Sequence, residues 1–152
     1  MSRIKLILMA EDDPDDREFA FEAIHAVSPD IEVRYVEDGQ HLIDYLKHRN
    51  GYSGPGAAPV PSLILLDLNM PRINGYTALE QIKSDPEIAN IPIIILTTSG
   101  SARDIEIAYS GGAQSFIRKP GDLDELIEKF RILNCYWSGV TELPDCSETA
   151  GR

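Results

Sequence analysis

Six of the eight residues from position 11 to position 18 are acidic, and Glu11, Asp12 and Asp13 are consecutive. They directly follow the apolar run 4–10, whereas acids serving only solubility would be scattered over helix faces. Like charges this close raise one another's pKa unless a cation relieves them. A hard divalent ion does so through oxygen ligands, and Mg²⁺ typically takes one or two carboxylates, some waters and a phosphate oxygen. A second apolar run, 63–66, ends at Asp67. A third, 93–96, ends at Thr97-Thr98-Ser99, and a short run over 114–118 leads into Lys119-Pro120. An aspartate beside bound Mg²⁺ is suited to attack phosphorus and form an aspartyl-phosphate. In phosphoryl transfer the protein mainly positions groups and neutralises the oxygens of the moving phosphoryl. Lys119 offers a fixed ammonium for that purpose and Thr97 a hydroxyl. Asp13, Asp15 and Asp16 read as capping and surface groups, since acids in a first helical turn favour the helix dipole.

The elements that must position these groups alternate in type. Residues 4–10 predict a strand. Asp13-Pro14 predicts an N-cap followed by proline at the first helical position. Phe19, Ala20, Ala23, Ile24 and Val27 then share a helical face as far as Ser28-Pro29. Residues 31–36 alternate as a strand at or near a sheet edge would. Leu42, Ile43, Tyr45 and Leu46 mark a second helix, and the Gly- and Pro-rich stretch 50–61 reads as a surface loop. Residues 63–66 are apolar without alternation, as in a central parallel strand. A helix over about 75–84 follows, with Tyr76, Leu79 and Ile82 facing inward. The run 93–96 is of the same buried type, and a helix over 102–110 stops at Gly111-Gly112. A strand over 114–118 and an amphipathic helix carrying Leu123, Leu126, Ile127, Phe130 and Leu133 complete the pattern. Tyr136 and Trp137 fall just past that helix, where they either pack back on the domain or form an interface. Strand–helix alternation with right-handed crossovers predicts an α/β fold, a doubly wound parallel sheet covered on both faces. Ligands in such sheets bind beyond the carboxyl ends of the strands, where the candidate residues fall.

A chain of 152 residues fits one domain. Its 14 Lys and Arg against 25 Asp and Glu give a formal charge of −11, which argues against nucleic acid as a partner because phosphate backbones are held by clustered cations. At 43% hydrophobic and 26% charged, the composition is that of a folded globule. No apolar run approaches the ~20 residues of a membrane span, and the N-terminal run is too short for a secretory signal, so a cytoplasmic location is expected. Cys135 and Cys146 lack CxxC spacing and a partnering histidine, which predicts ordinary reduced thiols rather than a zinc site. His25, His41 and His48 share no metal-binding spacing and read as surface or structural groups.

Over about residues 1–134 these features resemble the receiver domain of two-component response regulators. Glu11-Asp12 matches that family's acidic pair for Mg²⁺, with Asp12 the expected direct ligand. Asp67, within Leu65-Leu66-Asp67-Leu68-Asn69-Met70-Pro71, matches the phosphoacceptor, and Asn69 the residue lending a backbone carbonyl to the metal. Asn74-Gly75 matches the turn before the third helix, Thr97 the switch hydroxyl, Phe116 the switch aromatic and Lys119 the phosphate-binding lysine. Pro120 matches a proline that is usually cis in the family. The resemblance implies a flavodoxin-like five-stranded sheet of order 2-1-3-4-5. It also implies Mg²⁺ as cofactor, with Glu11, Asp12, Asp67 and Asn69 around the metal.

A narrower resemblance concerns the loop 50–61, the run Leu96-Thr97-Thr98-Ser99, and Cys135-Tyr136-Trp137 followed by Thr141-Glu142-Leu143-Pro144. These are similar to single-domain regulators that partner bacterial phytochrome histidine kinases, in which a C-terminal aromatic extension helps a homodimer form. Gly121-Asp122 departs from that pattern. The implied organisation is a receiver domain over 1–134 and an extension over 135–152.

On this reading a sensor histidine kinase supplies the phosphoryl group, and the protein is a phosphoacceptor switch rather than an enzyme acting on other substrates. Thr97 moves toward the added charge, Phe116 rotates inward, and the surface of the fourth helix, fifth strand and fifth helix changes. The output is binding: to the kinase, to a second copy, or to a downstream phosphotransfer protein. A phosphorelay intermediate or phosphate sink for another kinase is the neighbouring reading. A haloacid-dehalogenase-type phosphatase wants a second acid two residues after its aspartate, and Asn69 stands there. An FMN binder needs a phosphate-cradling loop where Glu11-Asp12-Asp13 would repel phosphate. A receiver-like module used only for interaction would lack one of Asp67, Thr97 or Lys119.

Overall fold

The computed structural model describes residues 4–98 and 100–138, with the side chains of 137 and 138 left aside. Ser99, the 141–144 motif, Cys146 and the side chain of Trp137 therefore lie outside the described residues. Strands β1 (Leu6–Ala10), β2 (Glu32–Val36), β3 (Leu63–Leu66), β4 (Ile93–Thr97) and β5 (Ser115–Arg118) alternate with helices α1 (Pro14–Val27), α2 (Gly39–Lys47), α3 (Gly75–Lys83), α4 (Ala102–Ser110) and α5 (Leu123–Ser138). The strands form one parallel sheet in the order β2-β1-β3-β4-β5, as the receiver resemblance implies.

The uninterrupted apolar strands bury both faces. Leu8, Ala10, Ile64, Leu66, Ile93 and Ile95 pack with residues of α2, α3 and α4, including Leu42, Leu79 and Ala108. Their neighbours Ile7, Met9, Leu63, Leu65, Ile94 and Leu96 pack with Ala23 and Ile24 of α1 and with Leu126 and Phe130 of α5. Side chains alternate across a strand, so one run of residues feeds both layers. At the sheet edge β2 keeps the expected alternation only in part: Val33 packs inward, but Tyr35 is exposed and lies under the Arg17 guanidinium, 4.1 Å from its ring centroid.

Helix starts follow the capping chemistry. Asp13 accepts from the Asp15 amide at 2.8 Å with Pro14 at the first position, and Asn74 accepts from the Thr77 amide at 3.0 Å. The 50–61 stretch holds a 3₁₀ turn at Asn50–Tyr52 and is tied down by α2. His48 Nε2 donates to the Ala58 carbonyl at 2.9 Å, Tyr45 Oη to the Pro59 carbonyl at 2.8 Å, and Asn50 Nδ2 to Asp44 at 2.9 Å. His41 and Tyr52 are hydrogen-bonded at 3.0 Å, and His25 Nε2 lies 3.1 Å from the Ile31 carbonyl oxygen. All three histidines thus have structural roles.

Two expectations are corrected. Helix α5 runs to Ser138, so Cys135 and Tyr136 belong to it instead of following it. Nothing between Leu133 and Ser138 terminates a helix, and the next glycine is Gly139. No peptide bond among the described residues is cis, so the Lys119–Pro120 bond is trans, the intrinsically lower-energy isomer even before proline. No helix of the described residues is long and apolar enough to cross a membrane.

Candidate functional site

The sheet register delivers the candidate residues to one end. Ala10 pairs with Leu66, and Leu66 with Ile95. The ladder continues one step further: the Asp67 amide donates to the Ala10 carbonyl at 3.1 Å and the Glu11 amide to the Val36 carbonyl at 3.0 Å. On the other side Thr97 pairs with Arg118, and the Lys119 amide donates to the Thr97 carbonyl at 2.8 Å. Glu11, Asp67, Thr97 and Lys119 are each fixed by their own backbone at a strand terminus.

The Lys119 side chain, 8% exposed, reaches into the carboxylates. Its ammonium donates to Glu11 Oε1, to Asp16 Oδ2 at 3.0 Å, and stands 3.9 Å from Asp67 Oδ2. Glu11 and Asp67 are buried at 4% and 7% exposure, while Asp12 is exposed at the rim. Carboxylate oxygens of Glu11, Asp12 and Asp67 lie within 4.8 Å of one another. Burial pushes the Glu11 carboxyl up to about 7; the neighbouring Asp67 charge adds to this, and the hydrogen bond from Lys119 opposes it. For Lys119 burial alone acts downward, but the Glu11, Asp67 and Asp16 carboxylates outweigh it and hold the ammonium above its ordinary value.

The all-oxygen group of Glu11, Asp12 and Asp67 suits a hard divalent cation, which would relieve the excess negative charge. Asn69 is exposed, and its amide donates to Asp67 Oδ1 at 3.3 Å, so the chain turns tightly around the Asp67 carboxylate. Gly75 permits that turn: a β-carbon there would collide with the Asp67 carbonyl oxygen and the Leu68 α-carbon. Gly39 at the start of α2 lies against the Ile73 carbonyl in the same way, and the Arg72 guanidinium approaches Asp38 at 3.5 Å. The loop after Asp67 is thereby wedged between two helix N-termini.

Thr97 is fully buried at the end of β4. Phe116 is half-buried against the core layer of α2, α3 and α4, and its amide donates to Tyr109 Oη at 3.2 Å. Helix α4 is thinly anchored, with Ala108 its one fully buried residue. It is tied by Tyr76 Oη donating to Asp104, and the loop before it by Arg118 donating to the Gly100 carbonyl. Proximity to Asp104 and burial push the Tyr76 phenol up to about 12, burial being the larger cause. Beside α4, Tyr109, Phe116, Ile132 and Tyr136 line an open groove of about 370 Å³.

Sequence reasoning placed Glu11, Asp12, Asp67 and Lys119 correctly beside one another and missed Asp16, which was read as a surface group. The available signal was its position: with Asp13 as N-cap, residue 16 falls in the turn of α1 that faces the end of β1. The ties from Tyr76 and Arg118 carried no sequence signal, since both depend on loop paths.

A family model described as "Response regulator receiver domain" matches residues 7–131. The curated relative "Response regulator Rcp1" from Synechocystis is 30% identical over 140 residues, covering 92% of this chain and 93% of its own length. The Mn²⁺-bound crystal structure of Rcp1 superposes with a TM-score of 0.79 at 30% identity, covering 92% of this chain and 99% of that one. The phosphorylated cyanobacterial phytochrome response regulator RcpA gives a TM-score of 0.81 at 33% identity, with 93% and 99% covered. RPA3017, a response regulator in red light signaling of R. palustris, gives 0.84 at 34% identity, again with 93% and 99% covered.

Proposed function

Because the chain belongs to the receiver-domain family of response regulators, a family of signalling switches, we propose that Asp67 accepts a phosphoryl group from a phosphohistidine of a sensor histidine kinase. The observation that carries this reading is the single cluster in which Lys119 meets Glu11 and Asp16 and stands 3.9 Å from Asp67. A carboxylate oxygen of Asp67 attacks phosphorus, forming a P–O bond as the P–N bond to imidazole breaks. The imidazole leaves with the bond's electron pair and takes a proton. Lys119 holds one phosphoryl oxygen and the Thr97 hydroxyl donates to another.

Glu11, Asp12, Asp67 and the backbone carbonyl of Asn69 would hold a divalent cation, Mg²⁺ in this reading. Bound there, it would neutralise phosphoryl charge. The Mn²⁺-bound form of Rcp1 and the clustered carboxylates support this assignment.

The new group adds about −1.5 to −2 charges, drawing the Thr97 hydroxyl toward it and letting Phe116 turn inward. The thin anchoring of α4 leaves it the element freest to respond, so the α4–β5–α5 surface is the output face. The relatives make a phytochrome the favoured kinase, with a phosphorelay intermediate or phosphate sink as the neighbouring role. A homodimer through the same face fits its exposed Tyr109, Ile132 and Tyr136; Ile132→Lys is expected to shift sedimentation toward monomer, and an unchanged profile removes this face from assembly.

The decisive experiment is labelling with acetyl phosphate followed by intact mass. Incorporation is expected to require Mg²⁺ and to vanish in Asp67→Asn. Label persisting in that variant overturns the assignment.

A further inference from the structure

Asp16 occupies the third position of α1, is about one-third exposed, and places Oδ2 3.0 Å from the Lys119 ammonium. Lys119 is shared: Glu11 takes one hydrogen bond, Asp16 another, and Asp67 lies at 3.9 Å, beyond hydrogen-bond reach. We infer that Asp16 is a positioning residue that holds the Lys119 ammonium back from Asp67 and so competes with the phosphoryl group for it.

An ammonium has three donors, so its direction is set by whichever acceptors surround it. In the resting protein two of the strongest acceptors lie on the β1–α1 side. A phosphoryl group on Asp67 introduces oxygens on the β3 side, and Lys119 reaches them only by loosening a carboxylate contact. Glu11 is buried and belongs to the acidic pair, whereas Asp16 is on a helix surface where water can replace the lysine. Asp16 is therefore the contact that gives way, and its strength sets how firmly the phosphorylated state is held. The inference rests on the phosphoacceptor reading of Asp67.

The test measures binding of beryllium trifluoride, a phosphoryl mimic, by calorimetry with saturating Mg²⁺. Asp16→Asn keeps the side-chain shape and removes the competing charge. Asp15→Asn removes an equal charge from the same turn, where Asp15 is exposed and away from the Lys119 contacts. Expected is about two- to fivefold tighter binding for Asp16→Asn, the range of a part-exposed ion pair, with Asp15→Asn unchanged and Asp16→Glu close to the parent protein. Decay of acetyl-phosphate-labelled protein should slow in the same variant. Equal behaviour of Asp16→Asn and Asp15→Asn, or weaker binding in the former, overturns the role of Asp16. A parent protein that binds no beryllium trifluoride overturns the phosphoacceptor reading itself.

Discussion

A lysine whose side chain is 8% exposed among carboxylates is a charge the protein keeps only because they are there. Removing it leaves Glu11 and Asp67 buried without their cation, the case in which breaking an ion pair is most costly. Lys119→Ala is expected to lose about 3 kcal/mol of stability in chelator-treated protein, measured by urea denaturation. A divalent cation should restore much of that loss while leaving the α4–β5–α5 surface unresponsive to phosphorylation. A normal phospho-dependent change in amide exchange over α4 would take Lys119 out of the switch. The residues that could be found from sequence are those whose backbone ends a strand: Glu11, Asp67 and Thr97 close apolar runs, Lys119 closes the short strand after Gly112, and parallel register does the rest. Asp16 is not legible in that way, because it lies within α1 instead of at a strand end and its contact depends on the path of one long side chain.

At the scale of elements, the long connection between α2 and β3 is held by side chains of α2. Asp44 accepts from Gln40 Nε2 at 3.0 Å and from Asn50 Nδ2 at 2.9 Å, and its backbone carbonyl accepts from the Arg49 amide at 2.8 Å. The hydrogen bond from Asn50, with smaller help from Gln40 and nearby His41, holds its carboxyl below the ordinary 3.8. A depressed carboxyl favours the native state in its charged form. Its contribution is complete above pH 3.8 and is lost as pH falls through the lower native value. Asp44→Asn should therefore cost about 1 kcal/mol near neutrality, and its deficit should shrink on acidification. Parallel denaturant midpoints for the two proteins, with a constant gap down to the acid limb, would count against this. The strands, α1, α3 and α4 are readable within a residue or two, because caps, glycines and apolar period agree, and α2 is readable as an element without its bounds. The end of α5 is not legible because Cys135-Tyr136-Trp137 reads as a new segment, although no helix-stopping residue stands between Leu133 and Gly139.

At the scale of the molecule the formal charge of −11 has two separable consequences. Diffuse repulsion among surface acids is relieved by any salt, since at about 0.15 M ionic strength charges more than about 8 Å apart are largely screened. The cluster of Glu11, Asp12 and Asp67 has oxygens within 4.8 Å of one another and is too tight for that atmosphere to neutralise. Raising NaCl should lift Tm modestly in the parent protein and in Asp12→Asn alike. At matched ionic strength, MgCl2 should add a further increase in the parent alone, because a ligand that binds only the native state stabilises it by mass action. At a hundredfold excess over Kd that is about 2.7 kcal/mol, or about 5–10 °C for a domain of this size. Differential scanning calorimetry of the four combinations separates the two terms. Equal responses to both salts in both proteins would mean that the acidic end of the sheet is only a charged surface, and the metal site proposed there would fall with it.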